Sequence, residues 1–318
     1  MIEKILSFPF IKHRKIYYII CVAIIIVGLA IGMFRGFNMG IDFIGGTMIQ
    51  IDMGQEVPVD DIKALLNTVD GLDGDVVHAG AANEQIIIKT IDSLDTDARA
   101  RLVDALTAKY GLTDDAILSA ENISPSVGDT LKQNSAKAVA AAIILMLIYI
   151  AVRFKWQYGV AAIVALANAS LITIAFYGTF NIPINSPFIA AILTILGYGI
   201  NDTIVIFDRI RENSGNSAKR GSGLEDLIDK SIHQTLGRSI MTSLTTVIVM
   251  IPLLVICGDT IRAFILPLMV GIIASTCSSI FIATSVYFEI NKATDTAGRK
   301  NYTAKTEKSK KETGKAKA

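Results

Sequence analysis

Apolar residues form two kinds of pattern along this chain. Six long runs, over residues 16–33, 136–152, 158–176, 188–207, 239–257 and 263–287, are apolar almost throughout. A run of about 17–25 such residues is the length a helix needs to cross hydrocarbon, so the pattern predicts six transmembrane helices. Between the first two runs, over residues 47–122, the apolar positions come in shorter, alternating groups. TMIQIDM reads as a strand, and VDDIKALLNTVDGL as a helix opened by Asp60 and Asp61, acids that suit a helix N-terminus. GDVVHAG and EQIIIKT read as strands joined by AAN, DTDARARLVDALTAKYG as a helix ended by Gly111, and DAILSAENIS as a last strand.

The order β-α-β-β-α-β is the ferredoxin-like arrangement. The expected fold class is therefore a polytopic α-helical membrane protein, six transmembrane helices with an external ferredoxin-like α+β domain between helices 1 and 2. That domain fold hosts many unrelated functions. It contains no convincing nucleophile–base pair here, so a binding or moving module fits better than an enzyme. Two joints tie it to the membrane. GIDFIGGT places Gly40, Gly45 and Gly46 around Asp42 and Phe43, and ISPSVGDTL places Pro125 and Gly128 ahead of the second span. Glycine permits positive φ and close backbone approach. The first joint is no phosphate loop, because no Gly-Lys-Ser/Thr follows. Each joint reads as a tight turn or as a hinge, and the pattern leaves both open.

Composition supports the membrane reading: 52% of the 318 residues are hydrophobic and 19% are charged. The net charge of +1 conceals a marked asymmetry. Lys4, Lys12, Arg14 and Lys15 precede the first span, Arg153 and Lys155 separate the second and third, and Arg209, Arg211, Lys219 and Arg220 follow the fourth. Residues 34–134 carry 17 acidic and 7 basic side chains. By the positive-inside rule the basic segments are cytoplasmic. The expected division is a cytoplasmic N-terminus (1–15), an external domain (34–134), spans two to six (135–288) with a cytoplasmic loop (208–238), and a basic, solvated tail (289–318). Span one exceeds most signal-peptide apolar regions and reads as a retained anchor. Cys21, Cys257 and Cys277 lie in or beside spans, so the external domain has no disulfide framework. His13, His78 and His233 are not at ligand spacing. No metal, cofactor or nucleic-acid partner is expected.

The candidate chemistry lies in the fourth span, where Asn201 and Asp202 interrupt an apolar helix. A carboxylate at mid-span costs about 2.5–3.5 kcal/mol on insertion scales, and somewhat less toward an end. Aspartate is too short to snorkel. It must face protein or water, find a partner, or be protonated, which makes it a functional candidate. Thr194, Tyr198 and Asp202 share one helix stripe. In the fifth span Arg238, Thr242 and Thr245 form a second, so Arg238 is the expected partner of Asp202; its alternative is a lipid anchor. Asp208, Arg209 and Arg211 read as topology anchors. Ala161, Ala165 and Ala169 in span three, and Gly271, Ser275 and Ser279 in span six, have the spacing that lets helices approach closely.

Four motifs in order resemble the SecD/SecF family of protein-export membrane proteins, and within it the SecF type. DFIGGT (42–47) looks like the family's Asp-Phe-x-Gly-Gly motif, and GYGINDTIVIFDRIREN is very similar to its fourth-span signature. QTLGRSIMTSLTT and GIIASTCSSIFIA resemble its fifth and sixth spans. The likeness runs from about residue 36 to 288. It implies a fold related to resistance-nodulation-division transporters, residence in the bacterial cytoplasmic membrane, and partnership with SecD, the Sec translocon channel, translocating preprotein and lipid. It also implies that ion flow, most simply of protons, drives movement of external domains that pull polypeptide outward. Carried over by motif, Asp202 is the protonatable carboxylate and Arg238 its basic partner, with Asn201 and Thr242 beside them. The chain departs from the family in span three, where Asn168 and Ala169 stand in place of a common His-Asp pair, and at the second joint, where Ile123-Ser124-Pro125 replaces Val-Gly-Pro. Two other readings remain at this point: half of a small-molecule or lipid exporter of the related superfamily, and a structural membrane scaffold.

Overall fold

The computed structural model describes residues 8–70, 72, 74–79, 84–92, 94, 96–113, 116–217 and 223–294. The AAN connection, Lys219, Arg220 and the tail beyond residue 294 lie outside the described residues. In chain order the elements are α1 (Arg14–Arg35), the single-turn α2 (Ile41–Ile44), β1 (Gly46–Asp52), α3 (Val59–Asp70), β2 (Gly74–Ala79), β3 (Gln85–Thr90), α4 (Thr96–Tyr110), β4 (Ile117–Ile123), α5 (Pro125–Arg153), α6 (Trp156–Phe180), α7 (Ser186–Ser217), α8 (Leu224–Ile256) and α9 (Asp259–Cys277). The last helix passes through a π-helical segment, Ser278–Ala283, and the sixth span continues to Thr294.

Among the described residues six helices are long and apolar enough to cross a membrane: α1 with the turn before it, α5, α6, α7, α8, and α9 with its continuation. They outrun the apolar runs that announce them. α5 starts at Pro125, where the fixed φ and missing N–H of proline suit a first helical turn. α8 starts at Leu224, well before the apolar run at 239, with Glu225 and Asp226 in its first turn. α6 stops at Asn181, whose left-handed φ of 52° closes the helix.

The domain between α1 and α5 has the expected ferredoxin-like order. Its four-stranded sheet runs β2-β3-β1-β4, with every neighbouring pair antiparallel. Ile49 pairs with Ile88 and Ile51 with Ile86. These four isoleucines are fully buried, packed against Ile62 and Leu66 of α3 and Leu102 and Leu106 of α4. Period-2 alternation in the strands and the apolar stripes of two helices thus meet in one core.

The membrane helices are unequally buried. Of the most apolar stretch of each span, 67% is buried in the sixth and 6% in the second. Small residues account for the tight centre. Ala161, Ala165 and Ala169 are fully buried on α6. A Cβ on Gly28 of α1 would lie 2.6 Å from Ala175 Cβ, and one on Gly271 of α9 would lie 2.0 Å from Ile195 Cδ1 of α7. Backbone approach of this kind replaces the hydrophobic effect as the source of helix association in lipid.

Candidate functional site

Asp202 is 6% exposed, at the packed interface of α7 with α8. Its Oδ1 accepts a hydrogen bond from Ser239 Oγ of α8 at 2.5 Å. Its Oδ2 is buried and has no hydrogen-bond partner among the described residues. A carboxylate normally offers about four acceptor sites, so this group has unused capacity directed into the bundle.

Further hydroxyl groups link the helices on either side of Ser239 and Thr203. Ser243 Oγ, one helical turn from Ser239, bonds Thr276 Oγ1 of α9 at 2.5 Å, and Tyr198 OH of α7 reaches Ser243 Oγ at 3.4 Å. Thr203 Oγ1 bonds the Gly199 carbonyl at 3.0 Å and Ser279 Oγ at 2.7 Å. Asn168 Nδ2 of α6 donates to Ser278 Oγ at 2.8 Å. Thus the asparagine that stands where the resemblance leads one to expect His-Asp ties the third span to the sixth. Ser243 and Thr203 also bond carbonyls of their own preceding turns, and the other hydroxyls pair across helices, so the polar groups are satisfied within the protein as a membrane interior demands.

The sixth span changes its winding at this level. Ser278 and Ser279 open the π-helical segment and face Asn168 and Thr203. Single π turns within α-helices are frequent at functional sites, because they re-aim side chains and loosen the hydrogen-bond ladder. Just above, Gly199 leaves room for Ser275: a Cβ there would lie 2.1 Å from Ser275 Oγ.

The other proposed ion residues are exposed rather than buried with Asp202, though the charge of Arg238 still acts on that carboxylate. Asn201, Arg238 and Thr242 are exposed. Among the described residues no ion pair joins Arg238 to Asp202; the Arg238 carbonyl accepts from Thr242 Oγ1 at 2.9 Å. The α8 row that meets Asp202 is instead Ser231, Thr235, Ser239 and Ser243, all buried. It lies one residue, about 100°, around the helix from the Arg238–Thr242 stripe. Packing chose the row of small hydroxyls and left the long cation outside. The four-residue Ser/Thr repeat was present in the sequence, and it was the signal for the buried face.

At the opposite end of α7 the two joints meet. Asp42 Oδ2 accepts the backbone N–H of Ser186, the first residue of α7, at 2.8 Å. The chain around it is laced to the α6–α7 connection: Gly40 N–H donates to the Ile184 carbonyl at 2.9 Å, and Ile184 N–H to the Asn38 carbonyl at 2.8 Å. Phe43 is buried beside Ile184 and Phe188. Gly45 and Gly46 have φ of 91° and 142°, and a Cβ on Gly46 would lie 2.1 Å from the Thr90 carbonyl oxygen. A Cβ on Gly45 would lie 2.9 Å from Pro125 N, and one on Gly128 would lie 2.6 Å from the Phe43 oxygen. The residues of the two joints therefore form one knot at the Ser186 end of the fourth span.

Comparisons with known proteins agree with this architecture. Residues 103–293 match the family described as protein export membrane protein SecD/SecF, C-terminal, and residues 31–57 match the SecD/SecF GG motif. The protein translocase subunit SecF of Sebaldella termitidis is 35% identical over 285 residues, covering 88% of this chain and 91% of that one. The subunit of the same name from Haemophilus influenzae is 34% identical, covering 90% and 87%. The crystal structure of SecDF from Thermus thermophilus, described as a translocon-associated membrane protein, superposes with a TM-score of 0.77 at 31% identity. That match covers 90% of this chain but 39% of the longer SecDF chain. Fold, motifs and coverage together show that this chain is a multi-pass membrane protein belonging to the SecF family of protein translocase subunits.

Proposed function

We propose that this chain works with a SecD partner beside the Sec translocon channel, in the bacterial cytoplasmic membrane. There it couples ion flow, most simply of protons, to the export of preprotein. The observation that carries the reading is the state of Asp202: one oxygen held by Ser239, the other buried and unpartnered. Such an atom can take up and release a proton without dismantling its surroundings. One charge crossing 100 mV supplies about 2.3 kcal/mol, comparable with the energy needed to exchange a few buried hydrogen bonds.

Asn201, Arg238 and Thr242 sit on the exposed side of α7 and α8. In this reading that side meets SecD, whose groups complete the ion path, and Arg238 holds the charge balance when Asp202 is ionised. α7 carries the response outward. Its inner half holds Asp202, and its outer end is gripped by Asp42 in the knot that also holds the start of the α/β domain. A change in the packing of α7 against α8 and α9 then reaches Gly45, Gly46, Pro125 and Gly128 together and tilts the domain as one body. Lysine and arginine at the far ends of the spans support cytoplasmic termini.

The test is export of a reporter preprotein into vesicles containing this chain and its SecD, at constant ATP, with the proton gradient intact or collapsed by an uncoupler. Asp202→Asn is expected to insert and bind SecD normally, yet to lose all stimulation by the gradient. Equal stimulation of variant and wild type would remove Asp202 from the ion path.

A further inference from the structure

At the end of the bundle away from the α/β domain, a cavity of about 950 Å³ opens among the inner ends of α5, α6, α7, α8 and the sixth span. Its size falls in the range of ligand sites, about 300–1,000 Å³. Among the described residues Arg153, Lys155, Arg211 and Lys292 line it, with Glu225 as the one lining carboxylate. Two of these cations are set side by side. Arg211 Nη2 donates to Asp208 Oδ1 at 2.8 Å, and Arg153 Nη2 lies 3.9 Å from the same oxygen. Both guanidiniums lie over the Phe154 ring, at 5.5 and 5.3 Å from its centroid. One carboxylate and one aromatic face thus hold two like charges together, and each guanidinium keeps further N–H donors for an acceptor in the cavity. Tyr158 and Tyr287 give the cavity an aromatic wall, fixed by the 2.9 Å hydrogen bond between their hydroxyls.

We propose that this cavity binds the phosphate headgroup of one anionic phospholipid. A free phosphate would present the same chemistry to the arginines, but the surroundings favour lipid. Trp156, the chain's one tryptophan, is 60% exposed beside Lys155 at the start of α6, a placement typical of the membrane interface. Below the rim the face of α5 is bare and apolar: Leu145 is 66% and Val152 85% exposed. Acyl chains could lie along that face while the headgroup enters between the basic side chains, the arrangement expected of basic pockets between membrane helices. The segments that continue in sequence from the rim are poor rivals for the space. Residues 218–222 contain Lys219 and Arg220, and residues 295–318 contain eight Lys or Arg against three acids.

Native mass spectrometry of the full chain in detergent tests this, using phosphatidylglycerol, phosphatidylcholine and inorganic phosphate as probes. The expected result is one retained phosphatidylglycerol per chain, no equivalent phosphatidylcholine, and no displacement by inorganic phosphate. Combining Lys155→Gln, Arg211→Gln and Lys292→Gln should weaken retention at least about tenfold. Lys132→Gln, at the other end of the bundle, should leave it unchanged. Should the triple variant fold poorly, Lys155→Gln alone decides: a loss of about two- to fivefold, restored in Lys155→Arg, supports the site. Equal retention of the two lipids, retention unaffected by Lys155→Gln, or displacement by inorganic phosphate would each overturn the proposal.

Discussion

Two aspartates meet the fourth span, and they meet it differently. Asp42 comes from another segment and accepts the N–H of Ser186, at the end of α7 where backbone donors have no helical partner. There a negative charge also faces the positive end of the helix dipole. Asp202 lies within α7, accepts one bond from Ser239 and keeps a buried oxygen that has no partner among the described residues. The first carboxylate is engaged in holding a helix end. The second is held only in part, and that is what a group needs if its protonation is to change during work. Each accepts one hydrogen bond among the described residues; the difference is that Asp202, unlike Asp42, is left with a buried oxygen that has no partner there.

Substitutions at and around the two acids test this difference. The largest effect should come from Asp202→Asn, which abolishes gradient-stimulated export while leaving thermal stability in detergent within about 1 kcal/mol, because the amide keeps an acceptor for Ser239. Arg238→Lys should retain part of the stimulation, since the charge remains but the planar fork of donors is lost. Full activity in an export assay would return Arg238 to the role of lipid anchor. Gly199→Ala should cost about 1–3 kcal/mol in thermal unfolding, because its Cβ would meet Ser275 Oγ at 2.1 Å and Leu166 Cδ2 at 2.9 Å.

Asp42→Ala should cost about 1–2 kcal/mol, the usual value of a lost helix cap, while Asp42→Asn should lose less. If Asp42 only caps, export follows stability in both variants. If it also passes motion from α7 to the domain, Asp42→Asn uncouples the gradient from export at near-normal stability. Gly197→Ala should be the mildest change. Nothing lies within 4 Å of a Cβ there, so stability should hold or rise by about 0.5–1 kcal/mol. A fall in export with this variant, at unchanged stability and with reduced SecD co-purification, would place the partner against the Gly197–Asn201 side of α7.

Much of the fold was legible in the residues. Six apolar runs predicted six spans, and strand alternation with two amphipathic helices predicted the domain. The two kinds of pattern differ in period and length, so neither could be taken for the other. Asp202 stood out because a short acid in hydrocarbon has few explanations. Its surroundings were harder to read. Every fourth residue from Ser231 to Ser243 is Ser or Thr, but Thr242, Thr245 and Thr246 put hydroxyls on adjoining rows, and Arg238 gives one of those rows the charge that a buried acid calls for. Rows one residue apart differ by about 100°. Apolar residues on all sides of a membrane helix leave little amphipathic contrast to say which row faces protein.

The spans, the domain order, the acid in the fourth span and the glycines of the joint can all be read along the chain. Each follows from local chemistry: run length, alternation, the cost of a buried charge, and the need for positive φ or close approach. It took the folded molecule to show that Ser239 rather than Arg238 bonds Asp202, that the sixth span unwinds into a π turn beside Thr203, and that Gly45 and Gly128 belong to one knot capped on α7 by Asp42. Those contacts join residues dozens to more than a hundred positions apart. Their partners were set by how six helices of unequal burial settle against one another, which no local pattern encodes.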